Sequence, residues 1–407
     1  MESKPFCWIL LSFLTLSCFV AQTHGNKQVQ AYHVNESNVY PQEGLKEKDR
    51  IERLPGQPHV NFSQYGGYVT VNNSAGRALY YYFVEAQHSK DSLPLLLWLT
   101  GGPGCSSLAG ALLEVGPFRV LSDGKSLFED IFSWNYAANV LFLESPVGVG
   151  FSYSNTTSDY DNNGDRRTAR DNYVFLLNWL ERFPEYKNRD FYIAGESYAG
   201  HFVPQLAHTI LYHNKKANKT IIDLKGIIIG NAVINYETDQ RGMYDYLWTH
   251  AIISDQDVYQ IHKYCNFSSS ASPESRECNA TIDAVQNYFN YFNVYNIYAP
   301  LCFSPNLTAQ PKNASSILDG NTVVTSMQEL PVTSTKYSIN KMKLPVKTAW
   351  HPWFLSGEVG GFTQVYEGDL TFATVRGAGH QVPAYQPARA FSLIKHFLDG
   401  TPLPNTN

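Results

Sequence analysis

The chain has little charge for its size, and neither sign dominates any region. Charged residues are 16% of 407, and the formal net charge is -5. No basic stripe runs through it, which argues against a nucleic-acid partner. No Cys or His cluster has metal-ligand spacing, so no metal and no other cofactor is expected. There is no internal repeat. Beyond the first twenty residues no run is long and apolar enough to span a bilayer. What is abundant is aromatic: Phe, Trp and Tyr make up 14%, a mix that suits a large buried core.

The N-terminus reads as a targeting segment. Lys4 precedes an apolar run from Phe6 to Val20, and the small residues Ala21 and Gly25 offer cleavage points. Residues 1–25 are therefore expected to be a signal peptide. The remaining 26–407 would form one soluble domain routed through the secretory pathway, to the extracellular space or a vacuole. Nine Asn-x-Ser/Thr triplets support a luminal route, headed by Asn35, Asn61, Asn72, Asn155, Asn218, Asn266, Asn279, Asn306 and Asn313. Of six cysteines, Cys7 and Cys18 leave with the signal. Cys105, Cys265, Cys278 and Cys302 remain, in a compartment where disulfides form. Cys265 and Cys278, close together in a polar loop, are the expected pair among three possible pairings.

Short apolar runs at Leu95 to Leu99, Val140 to Leu143, Phe191 to Ala194, Ile227 to Ile229 and Phe372 to Val375 read as buried strands. Helical patterns lie between them, as at Arg167 to Phe183, and another helix is expected near Pro387 to Leu398. The alternation predicts an α/β fold with a largely parallel sheet covered on both faces. Gly67 to Val84 alternates around Asn73-Ser74-Ala75-Gly76 and reads as an antiparallel hairpin. From about 235 to 313 the pattern weakens, which suggests a cap inserted beside the active site. No convincing element covers 315–330.

The chemistry concentrates in three segments. Gly195-Glu196-Ser197-Tyr198-Ala199-Gly200 follows a strand and precedes a helical stretch. Small residues two places either side of a serine allow a sharp strand-to-helix turn that lifts its hydroxyl toward substrate, so Ser197 is the expected nucleophile. His380, in Arg376-Gly377-Ala378-Gly379-His380-Gln381-Val382-Pro383, is placed on a loop after a strand, where a neutral imidazole can take the serine proton. Thr100-Gly101-Gly102-Pro103-Gly104-Cys105 also follows a strand. The N–H groups of Gly102 and Tyr198 could there form an oxyanion hole.

These segments, with Trp98 to Ser107, Glu144 to Tyr153 and Asp49 to Pro58, resemble plant serine carboxypeptidase-like proteins over about 49–313 and 331–404. The resemblance implies an α/β-hydrolase fold. It also implies hydrolysis at acidic pH that removes C-terminal residues from peptides. Thr100, Gly101, Glu114 and Glu196 then match the positions that hold the substrate's terminal carboxylate. Two carboxyls share that task only by sharing protons, which raises an apparent pKa.

The chain departs from the family pattern in one place. The aspartate pair expected before Leu330-Pro331-Val332-Thr333-Ser334-Thr335 is replaced, in register, by Thr325 and Met327. Neither carries the charge that stabilises an imidazolium. A preceding strand, helix and the partners of Cys105 and Cys302 are missing too, as in a shortened form. Asp319, Glu329 and Asp369 are the acids left in the right chain order. Thr100 stands where peptidase members carry Asn and points to the family's acyltransferase branch, which uses glucose esters. A peptide or small ester is the expected substrate, and a non-catalytic secreted glycoprotein is the reading from another class.

Overall fold

The computed structural model of the chain describes residues 39–268, 275–301 and 332–406. The expected signal peptide, Asn35, Cys302, Asn306, Asn313 and the 315–330 junction with Asp319, Thr325, Met327 and Glu329 lie outside the described residues. The strands are β1 (Arg50–Ile51), β2 (Gln64–Asn72), β3 (Arg77–Val84), β4 (Leu95–Leu99), β5 (Phe118–Val120), β6 (Leu127–Glu129), β7 (Asn139–Leu143), β8 (Phe191–Glu196), β9 (Leu224–Gly230), β10 (Val346–Leu355), β11 (Glu358–Tyr366) and β12 (Thr371–Ala373). Helices longer than a single turn are α1 (Ser107–Leu113), α2 (Asp165–Arg182), α3 (Ala199–Ala217), α4 (Tyr236–Thr249), α5 (Asp255–Tyr264), α6 (Arg276–Gln286), α7 (Val332–Met342) and α8 (Pro387–Leu398).

The main sheet runs β1-β2-β3-β7-β4-β8-β9. Strands β7, β4, β8 and β9 are mutually parallel, and β1, β2 and β3 extend them antiparallel. The apolar runs are continuous because both faces are covered. Leu95, Leu97 and Leu99 of β4 join one core with Leu141, Phe83, Trp179 and Val203, under α2 and α3. Leu96 and Trp98 join the other with Phe142, Val115, Phe118 and Ile394, under α1 and α8. Each fully buried Leu or Phe contributes roughly 1.5–3 kcal/mol against remaining in water. Alternate side chains of one strand therefore tie two helical layers to one sheet.

Two expectations need correction. Ile227 to Ile229 lies inside β9, yet this strand is not buried: Lys225 and Ile227 are exposed and the rest half-buried. Phe372 to Val375 does not enter the main sheet. Its first residues form β12, which pairs antiparallel with β11 in a separate sheet, β10-β11-β12. The two corrections share one cause. Among the described residues nothing pairs with the outer edge of β9, so the main sheet stops there. The β10–β12 meander instead closes on itself, with Trp353 fully buried against Gly360 and Gly361 and its indole N–H donating to the Thr374 carbonyl at 2.9 Å.

An edge that has no partner among the described residues and presents Ile227, 37% exposed, is a template for pairing with another chain. Ile227→Lys is expected to suppress concentration-dependent self-association in sedimentation velocity. Equal association of both proteins would show that the β9 edge is already covered.

The stretch expected to be a cap carries α4, α5 and α6 with a small core of their own around Tyr244, Leu247, Ile261 and Val285. A disulfide joins Cys265 and Cys278 there. Helix α7 lies against α4 with little space between them. A Cβ on Gly242 would fall 2.6 Å from Ser334 Cα, and Thr238 Oγ1 sits 2.6 Å from Ser338 Oγ.

Candidate active site

The turn after β8 is built from backbone constraints. Ser197 adopts φ +62°, a left-handed conformation unusual for a residue with a side chain. Two neighbours hold it there. Its N–H donates to the Gly230 carbonyl at 2.9 Å, and its carbonyl accepts from Val233 at 2.9 Å. Both flanking glycines are required by packing. A Cβ on Gly195 would lie 2.8 Å from the Leu99 carbonyl, and one on Gly200 would lie 2.2 Å from the Val233 carbonyl. Ser197 itself stays half-exposed at the start of α3, whose N-terminal dipole favours negative charge nearby.

The glycine loop after β4 reaches the same point. A Cβ on Gly101 would fall 2.3 Å from the Tyr198 amide nitrogen, so this loop lies directly on the nucleophile turn. Gly102 follows at φ +106°. The expected oxyanion donors, Gly102 and Tyr198, thus come from two adjoining loops. Thr100 is buried beneath them, and its Oγ1 accepts the Trp98 indole N–H at 2.9 Å. Its hydroxyl proton and one lone pair are left to offer a ligand.

Two acids meet beside the serine. Glu114 caps the C-terminus of α1 and is 1% exposed, and Glu196 is 5% exposed. Burial pushes the Glu196 carboxyl well above its ordinary range, and the neighbouring Glu114 adds to it. Burial also raises Glu114, partly offset by hydrogen bonding from Gln381 Nε2 to its Oε1 at 3.2 Å. Among the described residues Glu114 Oε2 finds no hydrogen-bond donor. One shared proton relieves both the repulsion and the unmet acceptor. Arg119 donates to the Glu114 carbonyl and fixes the backbone from behind.

His380 arrives from the far end of the chain. It is 4% exposed and its Nε2 lies 4.0 Å from Glu196 Oε1. Its backbone N–H donates to the Tyr295 carbonyl at 2.7 Å, and the Tyr295 ring stands 5.5 Å away. Among the described residues no hydrogen bond joins Ser197 Oγ to the imidazole. Nδ1 is buried and, among the described residues, has no hydrogen-bond partner. Burial holds the imidazole down at about 4. Asp369, one of the three candidate acids, is exposed at φ +62° in the turn between β11 and β12, and it does not meet Nδ1. The Cys105 thiol, unpaired and half-exposed, is pushed up by burial and then by Glu114.

Gln381 and Tyr295 escaped the sequence reading as site residues. Gln381 sat inside a segment already singled out for His380. Tyr295 lies in a Tyr- and Asn-rich stretch with no local signal, and only the fold brings it to the histidine.

A serine carboxypeptidase family model matches residues 55–331 and 328–400. The chain belongs to the serine carboxypeptidase family. Serine carboxypeptidase-like 40 of Arabidopsis thaliana is 54% identical to it over 432 residues, covering 90% of this chain and 85% of that protein. Serine carboxypeptidase 24 of the same plant is 43% identical over 443 residues, covering 89% and 94%. Both aligned lengths exceed the 407 residues of this chain, so these relatives carry residues without a counterpart here. Among solved structures, the prohormone-processing carboxypeptidase Kex1 of Saccharomyces cerevisiae superposes with a TM-score of 0.65. It shares 21% identity and covers 87% of this chain and 96% of its own. The main sheet with its two helical layers is accordingly an α/β-hydrolase fold.

Proposed function

We propose that this chain is a serine-type carboxypeptidase-like hydrolase with a weakened triad, working on peptides at acidic pH inside the secretory route. The observation that carries the reading is the buried Glu114–Glu196 pair beside Ser197. A protonated pair can donate to the terminal carboxylate of a peptide, whereas two ionised carboxylates would repel it. Ser197 then attacks the last carbonyl, His380 takes its proton, and the N–H groups of Gly102 and Tyr198 receive the developing oxyanion. Water resolves the acyl-enzyme. The lone Nδ1 of His380 supports the weakened part, because nothing there stabilises the imidazolium formed during transfer. It also favours a second reading, a non-catalytic glycoprotein that binds peptide ends in the same pocket.

Covalent labelling by a fluorophosphonate, with Ser197→Ala as control, tests the nucleophile. Product analysis with a blocked dipeptide against a glucose ester tests hydrolysis against acyl transfer. The base works only when neutral, so labelling is expected above about pH 4 and lost as pH falls through that value. A limb near pH 6.5 instead would show an acid pairing with Nδ1.

Stability should move with pH in the opposite sense. The native Glu196 carboxyl holds its proton above its ordinary 4.5, so its contribution is full below that value and lost as pH rises through the raised one. His380, neutral in the fold at pH 5 but protonated when unfolded, works the other way, so urea unfolding at pH 5 and pH 7.5 is read as a difference: stability should fall less, or rise more, over that interval in Glu196→Gln than in the native sequence. A residual slope remains from Asp239, whose carboxyl burial pushes up to about 6. Equal slopes in both proteins would remove Glu196 from the account.

A further inference from the structure

A platform of aromatic side chains lies open on the outer face of the first hairpin. Tyr68 on β2 stands opposite Tyr80 on β3, and Thr70 stands opposite Ala78. Ala78 in turn bridges to Tyr153, so the segment after β7 forms a third row. The rings meet edge to face: Tyr68–Tyr80 at 5.2 Å and Tyr68–Tyr153 at 5.4 Å. Phe151 adds itself to Tyr80 at 5.2 Å. The platform is not covered, since Tyr68 is 44% exposed, Tyr153 42% and Phe151 58%. A contiguous aromatic surface of this kind is seldom left to water.

Two of the Asn-x-Ser/Thr triplets stand on this same face. Side chains two apart on an extended strand share a face, roughly 6–7 Å apart. Along β2 the row is Tyr68, Thr70, Asn72. In the third row Phe151, Tyr153 and Asn155 are exposed while Ser152 and Ser154 between them are buried. The two rows end side by side across the hairpin turn, where Asn155 N–H donates to the Gly76 carbonyl at 3.2 Å. The Asn155 carboxamide lies directly over Gly76, so close that a Cβ there would fall 2.4 Å from its Nδ2. Asn72 is less available. It is half-buried, and its Oδ1 accepts from Ser74 Oγ at 2.8 Å and from Ala75 N–H at 3.0 Å.

The geometry points to an N-linked glycan on Asn155 whose first sugars lie along the Phe151/Tyr153/Tyr68/Tyr80 platform. A pyranose offers an apolar C–H face of about ring size, which an aromatic surface accepts without desolvating charge. Attachment at the end of the row holds the sugar next to that surface, so little freedom is left to lose on contact. The glycan would then shield a patch that otherwise invites association. This inference rests on the secretory routing proposed above.

The full chain, secreted from a eukaryotic host, supplies the test. Peptide mass mapping should find Asn155 occupied. On the native protein, enzymatic release of that glycan should be roughly three- to tenfold slower than in Tyr153→Ala, the expected size of one aromatic contact. Tyr68→Ser provides a second variant, should Tyr153→Ala disturb the bridge to Ala78. Thr157→Ala, which removes the acceptor triplet but leaves Asn155, should increase binding of an apolar dye. An unmodified Asn155 beside occupied Asn61 and Asn218 overturns the inference while leaving the routing intact. Equal release rates in all three proteins overturn it too. A chain with no occupied Asn overturns both together.

Discussion

Fluorophosphonate labelling of the unsubstituted protein is expected to be slow, on the order of 10⁴-fold below a relative with a complete triad, and absent in Ser197→Ala. The slow rate follows from one atom. Among the described residues, nothing accepts a hydrogen bond from the buried His380 Nδ1. The parts upstream of that atom are in place. Ser197 is held at φ +62° by Gly230 and Val233, and the Gly101 loop lies on the Tyr198 amide. These elements still lower the barrier without the acid, so the rate should stay measurable above that of Ser197→Ala. Time-resolved intact mass gives both numbers. Labelling as fast as in the complete relative would mean that an acid outside the described residues reaches Nδ1, and the weakened-triad reading would fall. Glu329 and Asp319 would then be the residues to substitute.

Arg77→Met should cost about 3–5 kcal/mol of stability, the largest loss expected from a change away from the site. Arg77 is 3% exposed at the start of β3. Its Nη1 lies 2.6 Å from Asp159 Oδ2 and its Nε 2.9 Å from Asp171 Oδ2. Asp159 keeps a second partner in Arg167 at 3.0 Å, but Asp171 is left with Arg170 at 3.7 Å. The expense is therefore a buried carboxylate without a partner rather than the loss of an attraction. The double variant Arg77→Met with Asp171→Asn should recover part of the stability, since the stranded charge is gone. Urea unfolding decides it. A loss below about 1 kcal/mol for the single variant, the range of a solvent-exposed pair, would refute the account.

Local features were legible before any coordinates. The helix expected near Pro387 to Leu398 spans Pro387–Leu398, because a Pro start and a 3.6-residue apolar period are both local. The hairpin around Asn73 to Gly76 was legible for the same reason. The turn at Ser197 was readable from Gly195 and Gly200, because the close approach of Leu99 and Val233 leaves those two positions no side chain.

Exposure was not legible. The Ile227 to Ile229 run has the composition of a buried central strand, and it would be one if another strand covered its outer edge. Composition reports what a segment could bury, while burial depends on neighbours far away in sequence. The same limit applied to Phe372 to Val375, whose partner proved to be β11 rather than the main sheet.

The family, the strand-to-helix turn that presents Ser197 and the acids and histidine available to it can all be read from the chain. Each of these depends on residue types at short spacing. Their electrical state is set by long-range packing. Glu114 and His380 are 266 residues apart in the chain, yet they share a pocket with Glu196 through Gln381 and the 4.0 Å approach of Nε2. Removal from water is what raises both carboxyls and lowers the imidazole, and removal from water is a property of the fold.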